Sequence, residues 1–149
     1  MHQYRFIVAR AGFVLLFLGI TFIQVLSFPG QFAHLGKTQG FSLAFEVALT
    51  LVVGLWLLCG QIALIVLWKI VGAMNAGQFY SRRNFGWIQR LLWTLKLACL
   101  FPLILFIMTI PEADDPGFYV LLTVVTLFIF SLTAMTSLLR DQIEIKLEA

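Results

Sequence analysis

Charge is scarce in this chain. Ten basic and seven acidic residues make up 11% of 149 positions, where a soluble domain carries about 25%. That scarcity excludes an ordinary water-facing surface. Histidine is also rare, and His2 and His34 both lie outside the long apolar runs, so no imidazole is available within them as a haem or metal ligand. Cys59 and Cys99 occur singly, without a Cys-x-x-Cys spacing, and read as thiols behaving as small hydrophobes. The sequence has no glycine-rich phosphate loop, no Ser/His/Asp set and no paired acids on one helix. Neither enzymatic activity nor a cofactor or metal is expected. The absence of repeats, low-complexity tracts and long linkers leaves a single domain over 1–149.

Apolar sequence is what remains, at 61% of residues and a mean hydropathy of +0.98. It falls into four stretches, Ala11 to Phe28, Val47 to Trp68, Leu91 to Ile110 and Phe118 to Leu139. A helix needs about 20 such residues to cross a ~30 Å hydrocarbon layer. All four qualify, and Lys96 is the one formal charge inside them. Membrane barrel strands are excluded, because they are ~10-residue segments of alternating polarity. The first stretch follows Arg5 and Arg10 as a signal peptide would, but it exceeds an h-region of about 7–15 residues. Gln31-Phe32-Ala33 is also a poor cleavage site, so it reads as a retained span. The expected spans are about 8–28, 45–68, 88–110 and 117–139, with a loop over 69–87.

Basic residues set the expected orientation. Arg5, Arg10, Lys69, Arg82, Arg83, Arg90, Arg140 and Lys146 fall on one side of such spans, and Lys37 alone on the other, beside Glu46, Glu112, Asp114 and Asp115. The positive-inside rule then places both termini and the middle loop in the cytoplasm of a cell whose inner membrane holds the protein. Tyr4, Trp68, Tyr80, Trp87 and Trp93 cluster at the inner boundary, and Tyr119 marks the outer one. The net charge of +3 reflects this topology and attraction to anionic lipid rather than direct nucleic-acid binding. Pro29-Gly30 and Pro111 close spans one and three, and Pro116-Gly117 opens span four after the acidic turn Glu112 to Asp115. Pro102, inside span three, predicts a break that frees carbonyls near Ala98. Short connections predict an all-α, up-down-up-down four-helix bundle.

The middle loop holds the most local information. Helix two is expected to continue to about Asn75, with Gly77 taking the left-handed conformation that stops it. Ser81 is a plausible N-cap for a helix beginning at Arg82. On that helix Arg83, Trp87 and Arg90 share one face, beside an apolar face of Phe85, Ile88 and Leu92. Two readings stand: an interfacial collar at the headgroups, or a docking surface for a cytoplasmic partner.

Polar groups inside the spans are the other pointers. Lys96 is shallow enough to snorkel to the headgroups, and Gln61 lies at a matching depth, where a hydrogen bond between them is feasible. Thr123, Thr126, Phe130, Thr133 and Ser137 follow one face of span four, either packing against another helix or lining a polar path. Gly12 and Gly19, and Gly54 and Gly60, read as sites of close helix packing.

The stretch Leu67 to Trp87 contains Gly-x-Phe-x-Ser-x-x-Asn at Gly77, Phe79, Ser81 and Asn84. In this it resembles the signature loop of an uncharacterised bacterial family of small four-span membrane proteins, a domain of unknown function. Asp141 to Glu148 is similar to the acidic tail of its members, whereas Arg82-Arg83 departs from a position where they commonly carry acids. The resemblance implies a neighbouring gene for a small cytoplasmic helix-turn-helix regulator, and hence a regulatory pairing. Two functions follow: a membrane-embedded regulatory or sensory partner of a cytoplasmic protein, or a small transporter or channel subunit. The docking residues of the first are Gly77, Phe79, Ser81, Arg82, Arg83, Asn84, Trp87 and Arg90. The path of the second would use Gln61, Lys96, Thr123, Thr126, Thr133 and Ser137. The lipid bilayer is the surrounding partner in both, and self-association into a homo-oligomer stays open.

Overall fold

The computed structural model describes residues 2–27, 30–31, 34, 36–37, 40, 42–110 and 116–148. Every regular element among them is helical. In chain order these are α1 (His2–Phe22), a π-helical turn (Ile23–Ser27), α2 (Leu43–Asn75), α3 (Arg82–Ala98), α4 (Leu100–Thr109) and α5 (Pro116–Glu148). Together they give four helices long and apolar enough to cross a membrane: Gln3–Ser27, Leu43–Asn75, Arg82–Thr109 and Pro116–Glu148. Pro29, Pro111 and the acidic turn Glu112 to Asp115 lie outside the described residues.

The third span is two helices in series. Proline has no N–H to bond the carbonyl four residues back, and Pro102 sits one turn after Ala98, where α3 ends. Cys99 is the joint, and α4 resumes at Leu100. Pro102 itself is fully buried. Thr109, near the end of α4, bonds back to Leu105 O at 2.8 Å, and its own carbonyl accepts the Tyr119 hydroxyl of α5 at 2.9 Å. A helix-terminal carbonyl is thereby satisfied.

Two apolar clusters hold α2 through α5 together. Val53, Leu105 and Leu122 join α2, α4 and α5. Val66, Ile70, Ile88, Leu91 and Ile143 join α2, α3 and α5 at the opposite end. With residue 53 beside 105 and residue 70 beside 88, α2 runs antiparallel to the third span. The pairing of 105 with 122 and of 91 with 143 makes α5 antiparallel to that span in turn. Most other large apolar side chains face outward, as a bilayer solvent requires.

Helix α1 is peripheral. Its membrane-crossing window contains no buried residue, and α2 is its main neighbour among the described residues. Gln24 Nε2 donates to Gly54 O at 2.9 Å. Lower down, Gln61 Nε2 donates to Thr21 Oγ1 at 2.8 Å, and that hydroxyl in turn donates a hydrogen bond to Phe17 O, also at 2.8 Å. Gly60 meets Ile20 at van der Waals distance from where a Cβ would stand. Gly54 and Gly60 therefore do face another helix. Gly12 and Gly19 do not: among the described residues nothing lies within 4 Å of a Cβ at either, so their expected role in packing is not seen within this bundle.

Candidate functional site

The local sequence at residues 75 to 85 dictates a tight connection. Helix α2 ends at Asn75, and Gly77 adopts φ +68°, a conformation glycine enters without a Cβ penalty. Gln78 N–H then reaches back to Ala73 O at 2.8 Å. Ser81 Oγ accepts from Asn84 N–H at 3.2 Å, capping α3. Asn84 is completely buried and donates its Nδ2 to Phe79 O at 2.8 Å. Each motif residue thus has a job in the turn: Gly77 reverses the chain, Asn84 ties down Phe79, and Ser81 starts the next helix.

Three of the cations near this turn lie on aromatic faces. Arg90 lies over Trp87 at 4.5 Å, Arg10 of α1 over Trp68 at 5.0 Å, and Lys146 of α5 over Tyr80 at 4.0 Å. Contacts of this kind contribute about 0.5–1 kcal/mol where exposed. Arg82 and Arg83 remain exposed at the start of α3.

The last helix shares this site. Beyond residue 139, where the fourth span was expected to end, α5 continues to Glu148. Ile143 is completely buried against Ile70, Ile88 and Leu91, with Phe79 and Leu147 packed around it. The tail is a packed helix, not merely an acidic extension. Ile143 and Leu147, four apart on one helix face, were the available signal, with Ile145 between them left exposed. The ion pair between Arg140 and Asp141 there is partly exposed and contributes little.

The intramembrane candidates are not brought together. Gln61 is buried and bonds Thr21 of α1, while the Lys96 ammonium lies 5.4 Å from the ring centre of its own helix's Trp93. The feasible bond between Gln61 and Lys96 is therefore not made; Trp93 is 64% exposed and draws Lys96 outward. The hydroxyls of Thr123, Thr126 and Thr133 each donate to the carbonyl four residues earlier, at 2.8, 2.6 and 2.8 Å. Ser137 is half-buried on the same stripe, and Phe130 is 64% exposed. Cys99 Sγ lies 3.9 Å from Thr133 Oγ1, and both cysteines are free.

Residues 32–148 match the model of a family described as a protein of unknown function, DUF2975. The chain belongs to this family. No curated protein and no solved structure matches it. The DUF2975 match takes in α2 through α5, the Gly77-to-Asn84 turn and the packed tail, and leaves the peripheral α1 outside. Its extent thus follows the two apolar clusters, which draw on α2 through α5 alone. The protein is a multi-pass membrane protein of the DUF2975 family.

Proposed function

We propose that this DUF2975 protein is a membrane-embedded regulatory or sensory partner of a cytoplasmic protein, acting by binding rather than catalysis. The observation that carries this reading is the union of turn and tail. Ile143 and Lys146 of α5 pack on the Phe79–Tyr80 turn, so one rigid surface is assembled from three helices. Arg82, Arg83, Glu144 and Ile145 are exposed on or beside it. A bend at Cys99, between α3 and α4, would move that surface relative to the far end of the bundle. The count of positive charges supports its placement in the cytoplasm, with both termini on that side of an inner membrane. A small helix-turn-helix regulator encoded nearby is the partner class the family resemblance implies.

The transporter reading draws little from the span-four stripe, whose threonine hydroxyls are spent on their own helix. The deciding test is co-purification of the full chain with the regulator in detergent. Replacing Arg82 and Arg83 by glutamate in a correctly inserted chain should weaken capture, because reversed charges oppose docking. Capture at wild-type strength would reduce the turn to a collar.

A further inference from the structure

We infer that the cavity between α2 and α3 beside the turn is a headgroup site for an anionic phospholipid, whose phosphate it takes while an acyl chain lies in the groove between α1 and α2. The cavity has a volume of about 220 Å³, far above the ~10–15 Å³ that one water requires. Lys69 from α2 and Arg83 from α3 line it, with Gln78, Ser81 and Asn84 between them, and no acidic side chain does. Neither cation has an ion-pair partner among the described residues. The first N–H groups of α3 add the positive end of a helix at the same place. Arg10, over Trp68, stands nearby without lining the cavity: its Nη2 lies 3.1 Å from where a Cβ of Gly72 would stand.

A second observation points to a ligand. Asn84 is completely buried at the wall of this cavity; its Nδ2 is committed to Phe79 O, while its Oδ1 has no partner and would be reached by a ligand only as that wall gives way. A buried acceptor without a donor is costly. The hydroxyl of a glycerol headgroup would supply that donor.

The class of ligand follows from what adjoins the cavity. A groove of about 390 Å³, lined by Phe13, Phe17, Leu64, Ile65 and Trp68, shares Lys69 with it. One residue therefore joins a cationic cavity to a hydrocarbon-lined trough. Inorganic phosphate would satisfy only the first; a lipid with a phosphodiester and an acyl chain satisfies both. Basic pockets between helices at the inner boundary are where such headgroups bind.

The test is native mass spectrometry of the purified full chain in detergent, offered phosphatidylglycerol and phosphatidylcholine in equal amounts. With no protein partner present, its outcome is independent of the docking reading. The wild type should retain phosphatidylglycerol preferentially. Lys69→Gln with Arg83→Gln should lower that retention about thirtyfold, at roughly fivefold for each basic group. The charge-matched pair Arg5→Gln with Arg82→Gln, outside the cavity, should retain it like the wild type, as should Lys69→Arg with Arg83→Lys. Equal retention of the two lipids by the wild type, a comparison that needs no variant, would overturn the proposal. So would an equal loss in the charge-matched pair, or displacement of the lipid by excess inorganic phosphate, which would assign the cavity to a free anion.

Discussion

At the scale of single residues, the turn between α2 and α3 is held by a few groups whose roles differ in kind. Gly77 contributes backbone freedom at φ +68°. A side chain there pays about 1–2 kcal/mol. Gly77→Ala should lower the thermal unfolding midpoint in detergent, and Gly77→Asn should lower it less, because asparagine tolerates that region. An alanine variant as stable as wild type would mean that the turn is not strained. Asn84 contributes a buried hydrogen bond to Phe79 O. Asn84→Ala leaves that carbonyl unsatisfied, at a cost of about 1–3 kcal/mol, read in the same melt. Lys96 has no comparable role: its ammonium rests over an exposed ring. Lys96→Met should change stability by less than about 1 kcal/mol, whereas Gln61→Leu, which removes the bond to Thr21, should cost about 0.6–1.7 kcal/mol. A reversed order would restore Lys96 as a functional intramembrane charge.

At the scale of elements, the tail of α5 is the least anticipated piece of structure. Its residues read as an acidic extension by their resemblance to the tail of the family, with Asp141, Glu144 and Glu148 as the acids. Periodicity was the better guide: Ile143 and Leu147 are spaced to face one neighbour, and Ile143 is fully enclosed. Ile143→Ala should therefore cost about 2–5 kcal/mol in the detergent melt. A loss below 1 kcal/mol would show the tail to be only loosely seated. The spans themselves were legible because twenty apolar residues in a row admit few alternatives. The end of α2 at Asn75, the Ser81 cap and the break before Pro102 were legible because each depends on local backbone chemistry. Partners across helices were not. Gln61 has Thr21 rather than Lys96, and Gly12 and Gly19 meet no other helix among the described residues, because the rotation of each helix about its axis is fixed by packing that a linear pattern does not contain.

At the scale of the whole molecule, orientation is the first matter to measure. Single cysteines at position 2 and at position 148 should be labelled only from the cytoplasm, and one at position 37 only from outside. External labelling of position 148 would overturn the even number of crossings and, with it, the proposed docking face. The position of α1 then has a thermodynamic consequence. A helix joined chiefly to one neighbour can separate from the rest without breaking either apolar cluster, so its docking is an equilibrium of its own. The trough that adjoins Lys69 is formed by α1 and α2 together and vanishes when they part. Whatever fills it binds only the docked state, and by linkage shifts that equilibrium according to its own concentration. If the filler is an anionic lipid, the composition of the bilayer becomes a variable that α1 reads, and the Arg10 side chain beside Trp68 and Gly72 couples that reading to α2.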